Sequence, residues 1–382
     1  MSTILDDLAQ IKTVDKYDMC SILLKLPEMC EDAIKRGERL TIPDEVKITD
    51  NLIITYKKPK KILVVGMGGS AIGGDLLKDW LRETLPIPID VCREYNLPAY
   101  ADEETLVLVS SYSGNTEETL SMFLEALEKR CMTLSITSNG SLLDFNETLN
   151  LPFVKLPTGY PPRSAVPYLF FPLVISLKKL GILSGVNDEI REAITVLKQV
   201  REEIKPDNPT SQNIAKQIAN GVKGSIPFIC GSGFYRSIAL RIKTQFNENG
   251  KTPAKSETFP ELNHNETVGW TGLRELTKNF SVILIRDNQE SLEIRTRIDI
   301  TRKLVFEDGA KNVLEIYARG VAKLAKLFSV MYIGDFASVY LGVLYGIDPT
   351  PVKIIDELKT QLGKRVNKSE ELKNKFRNML SN

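Results

Sequence analysis

The 382-residue chain is 42% hydrophobic, enough to bury a large core, and its length favours about two domains. Its 50 Lys and Arg are matched by 49 Asp and Glu, and a net charge of +1 excludes the electrostatic footprint of a nucleic-acid or acidic-membrane binder. Cys20, Cys30, Cys92, Cys131 and Cys230 form no C-x-x-C pair and have no histidines beside them, which excludes a zinc site and reads as reduced, buried thiols of a cytoplasmic protein.

The N-terminus, "MSTILDDLAQIKTVDKYD", is acidic, lacks the order of a signal peptide, and reads as a helical arm. "KILVVGMGGSAIGGDLLKDWL" then runs from a β-branched segment through glycines into helical spacing, the pattern of strand, loop and helix. "TLVLVSSYSGNTEETLSMFLEALEK" repeats it, and "MTLSITSNG" opens a third strand, so this half predicts a parallel α/β sheet. A Pro-rich approach, "LPTGYPPRS", leads into the longest apolar run, residues 165–177, shorter than the ~20 residues a membrane helix needs. The second half returns to the same order. "IPFICGSGFYRSIALRIKTQF", "NFSVILIRDNQESLEIRTRI" and "NVLEIYARG" parallel the three strands, and "AKLFSVMYIGDFASVYLGVLYGI" parallels the apolar helix. Two similar αβα sandwich subdomains with parallel sheets are therefore expected, residues 1–200 and 201–382, divided in the charged stretch "LKQVREEIKPDNPTSQN".

The glycine turn, Gly66, Gly68, Gly69, Gly73 and Gly74, invites a dinucleotide reading, with Glu94 as the ribose ligand. Its G-x-G-x-x-x-x-G spacing is not the G-x-G-x-x-G of that fingerprint. The next turn favours a phosphate monoester. Ser111, Ser113 and Thr116 lie between strand and helix, where a phosphate accepts from hydroxyls and from unpaired N–H groups of the first turn, and Ser70 occupies the same point one unit earlier. No Walker lysine is present. The competing reading, that these hydroxyls only cap a helix opened by Glu117 and Glu118, explains one hydroxyl better than three.

Five further residues are candidates for chemistry. Glu248 follows Phe234, Ile238, Ile242 and Phe246 at helical spacing and precedes Asn249 and Gly250, which places its carboxylate at a helix C-terminus. The negative end of the dipole there is expected to raise its pKa and make it a better base, although a solvated glutamate at a frayed end fits the same pattern. His264 is the only histidine, in a polar, Pro-containing stretch that reads as a loop. It is either a proton carrier near neutral pH or an ordinary surface residue. Arg163 follows a Pro-Pro step, either as a fixed cation at the sheet edge or as a surface residue closing a loop. Lys353 and Lys359 share the last amphipathic stretch, and either can face solvent.

Taken together and in this order, "GMGGSAIGGDLL", "SSYSGNTEETL", "PPRSA", "FNENGK" and "PELNHNE" resemble the sugar-isomerase (SIS) fold and, within it, the bifunctional phosphoglucose/phosphomannose isomerases. The resemblance runs from about Gly66 to Lys359. It implies an aldose-ketose isomerase of glucose 6-phosphate and fructose 6-phosphate, with mannose 6-phosphate as a second substrate. It implies Glu248 as the base forming a cis-enediolate, Arg163 stabilising it, His264 opening the sugar ring from the partner subunit of a homodimer, and Lys359 near the ring oxygen. Gly69, Ser70, Ser111, Ser113 and Thr116 become the phosphate site. Glucose or mannose preference falls to a small residue around Thr350 to Val352. No metal or cofactor is implied, and neither nucleic acid nor membrane. The alternatives are a non-catalytic SIS sugar-phosphate sensor, an SIS isomerase of another phosphosugar, and a nicotinamide oxidoreductase.

Overall fold

The computed structural model describes residues 4–381. The chain forms two compact units, each completed by a distant segment: Glu28–Val186 with Val352–Asn382, and Met1–Pro27 with Asn187–Pro351. In the first unit an antiparallel hairpin, β1 (Glu45–Thr49) and β2 (Leu52–Thr55), precedes a parallel sheet. Its strands are β3 (Lys61–Val65), β4 (Ile89–Cys92), β5 (Thr105–Ser111), β6 (Met132–Thr137) and β7 (Phe153–Lys155), in the order β4-β3-β5-β6-β7. Every residue of β5 and β6 is buried, as expected of strands covered on both faces by crossover helices. Those helices are α1 (Gly69–Leu81), α2 (Glu117–Glu128) and α3 (Gly140–Leu149), followed by the apolar α4 (Val166–Lys179), buried from Val166 to Leu177.

The second unit repeats the plan with β8 (Ile226–Ser232), β9 (Lys255–Phe259), β10 (Phe280–Arg286) and β11 (Asn312–Tyr317), parallel and ordered β11-β10-β8-β9. Its helices are α5 (Asn187–Ile204), α6 (Ile214–Val222), α7 (Arg236–Glu248), α8 (Leu292–Thr301) and α9 (Lys323–Leu344). At 22 residues α9 is long and apolar enough to cross a membrane, a possibility not visible when only residues 165–177 are considered, yet 94% of its apolar window is buried inside the protein. It is a core helix. The N-terminal arm belongs to this unit: the buried Lys216 ammonium donates to the carbonyls of Leu5, Pro206 and Asn208, and Tyr332 donates to Leu23 O at 2.8 Å.

A division at residue 200 falls inside the continuous α5, and the boundaries differ from it at both ends of the chain. The arm joins the second unit. The C-terminal helices, α10 (Lys353–Arg365) and α11 (Lys368–Ser381), join the first. α11 is more than a surface helix, since Leu372 and Phe376 are buried and the Phe376 ring stacks on Phe145 with centroids 3.8 Å apart. Four cysteines are buried free thiols as expected; Cys92, on the edge strand β4, is only half-buried.

One buried ion pair fixes α7 against α9. Arg241 Nη2 lies 2.6 Å from Asp335 Oδ2, and the two side chains are 2% and 0% exposed. Burial pushes the Asp335 carboxyl up, and the Arg241 guanidinium and Gln245 pull it back only in part. Removing one partner strands a buried charge, so Asp335→Ala is expected to lower the unfolding free energy by about 3–5 kcal/mol in urea titrations.

Candidate active site

In each sheet the chain runs from its first strand to one side and then returns to the other, which opens a crevice at the carboxyl ends of the two central strands. In the first unit that crevice lies between β3 and β5, where α1 and α2 begin. Ser70 is in the first turn of α1, and its Oγ accepts the Tyr112 N–H at 3.1 Å, tying the glycine loop to the serine loop. Ser111 Oγ accepts from Gly114 N at 3.2 Å and donates to Thr116 Oγ1 at 3.3 Å. Ser113 is exposed, and its Oγ accepts from Asn115 N at 3.4 Å. Thr116 holds the N-cap position of α2 and makes no side-chain cap bond, while Gly68 stands at the same position of α1. The capping reading is therefore not what these hydroxyls do. They line two helix starts that no side chain closes.

The third loop braces the second. Asn115 Oδ1 accepts the Ser141 N–H at 2.9 Å, and a Cβ on Gly114 (φ +67°) would lie 1.7 Å from Asn139 O. Arg163 is in a 3-10 turn, Pro162–Ser164, and is 4% exposed, which rules out the surface-loop reading. A Cβ on Gly69 would meet Pro162 O at 2.9 Å and Arg163 N at 3.1 Å, so only glycine lets the α1 start lie against the arginine's backbone. Tyr112 does not stand out among the candidate residues of the sequence, yet its hydroxyl donates to Pro157 O at 2.7 Å and accepts from Tyr160 N at 3.0 Å. It fastens the serine loop to the approach leading to Arg163. A large aromatic inside an otherwise small, polar turn is the signal that points to it.

In the second unit Glu248 is the last residue of α7 and is half-buried. The Lys251 ammonium donates to the Glu248 main-chain carbonyl, setting a cation at the negative helix end where the sequence shows only a conflict. The stretch around His264 is not loop throughout: it contains the edge strand β9 and a 3-10 turn, Glu261–His264. In "LNHNE" the neighbours of the histidine have internal tasks. Leu262 is buried with Phe228, Trp270 and Phe306; Asn263 donates to Thr301 Oγ1 at 2.7 Å; Asn265 donates to Glu261 Oε1 at 2.8 Å. Glu266 accepts from the Lys255 ammonium at 2.5 Å. His264 is exposed, on a turn that these neighbours hold in place.

The second unit's own crevice, between β8 and β10, is plugged. Residues 287–291 follow β10 as residues 112–116 follow β5, in a loop of equal length. Here Asp287, 8% exposed, accepts from Lys326 Nζ at 2.9 and 3.0 Å, from Tyr235 at 2.8 Å and from Gln289 N at 2.8 Å. Ser291, unlike Thr116, caps its helix by accepting from Ile294 N. The second unit's loop thus carries its own buried carboxylate and helix cap, where the equal-length loop of the first unit carries hydroxyls and an uncapped helix start. Lys353 and Lys359 both lie on α10, none of whose residues is buried, so the structure favours neither. Among the described residues no group of three His, Cys, Asp or Glu is placed to hold a metal ion.

Two family models match the chain: the SIS domain over residues 55–151 and the bacterial phospho-glucose isomerase C-terminal SIS domain over residues 211–362. A bifunctional phosphoglucose/phosphomannose isomerase from Caldicellulosiruptor bescii is 39% identical over 345 residues, covering 90% of this chain and 98% of the relative. The chain belongs to the bifunctional phosphoglucose/phosphomannose isomerase family. A D-glucosamine-6-phosphate 4-epimerase from Sulfolobus acidocaldarius is 33% identical over 65% of the chain, so this isomerase scaffold has relatives with a different named activity. Among solved structures, a hypothetical protein from Thermus thermophilus superposes with a TM-score of 0.70 over 94% of both chains at 16% identity, a likeness of fold alone. In this member of the isomerase family the two SIS units share one plan, and the helix after the second central strand is capped by a side chain only in the second unit.

The plug has a pH signature. Burial pushes the Asp287 carboxyl up, but the Gln289 N–H, the Lys326 ammonium and the Tyr235 hydroxyl together hold it below its ordinary value. A depressed carboxylate contributes stability that is whole above the unfolded pKa of ~3.9 and is lost as pH falls through the lower native value. Asp287→Asn is accordingly expected to lower the urea midpoint at neutral pH and to flatten its decline on acidification, measured by fluorescence.

Proposed function

We infer that the protein interconverts glucose 6-phosphate and fructose 6-phosphate, and mannose 6-phosphate and fructose 6-phosphate. The observation that carries this is the switch point of the first unit, where Ser70, Ser111, Ser113 and Thr116 lie at two helix starts without side-chain caps. That arrangement suits a dianionic phosphate monoester without a basic side chain. The phosphate fixes the sugar, and the family relationship supplies the reaction class.

In this reading His264 takes the proton of the C1 hydroxyl as the C1 to ring-oxygen bond breaks, and returns a proton to the ring oxygen. Glu248 then removes the C2 proton of the aldose, giving a cis-enediolate, and delivers it to C1, while the O2 hydroxyl proton passes to O1 and leaves a C1 hydroxyl and a C2 carbonyl. Arg163, held buried, offers a cation to the enediolate oxygens. His264 reaches the site from the partner subunit of a homodimer. Its exposure supports this, as do the exposed apolar side chains of the segments that follow it, Val268, Leu273 and Leu276. Lys359 contacts the ring oxygen, and residues 350–352 set the preference between glucose and mannose.

Three measurements test the reading. An EDTA-treated preparation should convert both fructose 6-phosphate and mannose 6-phosphate in coupled assays; activity on neither, or on glucosamine 6-phosphate alone, would overturn it. Thr116→Val should raise KM for the phosphosugar about tenfold or more while lowering the unfolding midpoint only slightly, because the bond from Ser111 is lost but no helix cap is. Glu248→Gln and His264→Ala should each abolish isomerisation. Mixing the two should restore up to about a quarter of wild-type activity, since half the random dimers carry one site with both residues intact. No recovery on mixing would place His264 in its own subunit's site.

A further inference from the structure

The turn that ends α7 is built around a residue the reaction scheme does not use. After Glu248, Asn249 stays helical and is 0% exposed, donating from Nδ2 to Ser338 Oγ of α9 at 2.9 Å. Gly250 packs so closely that a Cβ would meet Phe246 O at 2.9 Å. Lys251 then adopts φ +48°, and Thr252 N closes the turn onto Phe246 O at 3.1 Å. Helices commonly end with glycine in this left-handed conformation, because a Cβ makes it unfavourable. Here a lysine holds it.

The lysine's ammonium explains its presence. Nζ donates to the Glu248 main-chain carbonyl and, at 2.9 Å, to Pro349 O in the loop that follows α9. The same loop is braced from within, Asp348 accepting from Thr350 N at 2.9 Å and from Lys16 N at 3.1 Å. A Cβ on Gly342, near the end of α9, would lie 2.7 Å from Asn249 O, so the ends of α7 and α9 are in direct contact. Lys251 bonds both the residue carrying the carboxylate and the loop leading to residues 350–352. A non-glycine residue in this conformation is strained, and here two specific hydrogen bonds hold it in place.

We propose that Lys251 is a positioning residue that clamps the Glu248 main chain to the loop after α9 and so fixes the Glu248 carboxylate for proton transfer. This rests on Glu248 being the base. Lys251→Gly relieves the backbone and removes the ammonium, so the two roles separate. If the lysine only terminates the helix, the glycine variant is as stable and as active as the wild type.

If the lysine positions the base, Lys251→Gly keeps its unfolding midpoint while kcat falls about tenfold or more and KM changes less than about threefold. Lys251→Arg, which keeps the charge, should retain more kcat than Lys251→Met, which keeps the length. Wild-type kcat in Lys251→Gly overturns the proposal, as does a loss confined to KM. Should the glycine variant fail to fold, equal kcat in the Arg and Met variants overturns it instead. Glu248→Gln measured alongside keeps the premise separate: an active Glu248→Gln removes Glu248 as base, whereas an inactive one with an unaffected Lys251→Gly removes only the role of Lys251.

Discussion

Parallel strands cannot be joined by a tight turn, so each must be followed by a crossover, here usually a helix that starts at the carboxyl edge of the sheet. The candidate loops of the first unit follow from that constraint. It gathers the glycine loop, the serine loop and the Asn139–Gly140 turn at one edge of the first sheet, each opening a helix. The close backbone approaches at Gly69 and Gly114, and the side-chain bonds from Ser70, Tyr112 and Asn115, then turn loops that would otherwise be mobile into a fixed surface.

The two units show how one plan serves opposite ends. In the first, the loop after the second central strand leaves its helix start uncapped; in the second, a loop of the same length supplies its own carboxylate and its own cap. Asp287 satisfies Lys326 and Tyr235 internally, so the second unit's switch point contributes rigidity. The candidate base and histidine of that unit lie elsewhere, at the end of α7 and after the edge strand β9.

The alternation of strand, polar turn and helix is legible in both halves because fully buried parallel strands are runs of β-branched and aliphatic residues. Edge strands are not. β9, "KSETF", pairs with only one neighbour and carries polar side chains, so it reads as loop. The serine loop and Arg163 are visible as residue types, but which hydroxyls cap and which stand open depends on hydrogen bonds that no spacing encodes. Asp287 looks like an ordinary turn acid, and Lys251 like a polar residue after a stop signal, because a backbone angle and a folded-back ammonium leave no trace in composition. The unit boundaries escape for a related reason: Phe376 on Phe145 and Lys216 on Leu5 are contacts between residues far apart in sequence.

Those long-range closures have a temporal consequence. A chain leaves the ribosome from its N-terminus, and domains ordinarily fold in that order as each is completed. Here residues 28–186 wait for α11 to supply Leu372 and Phe376 to their core, and the arm waits for Lys216 and Tyr332 before it has anything to bind. Neither unit can close until the ribosome has passed through sequence belonging to the other. The interleaved chain therefore couples the two units in time, and a product truncated before α11 carries an unclosed apolar face for quality control to detect.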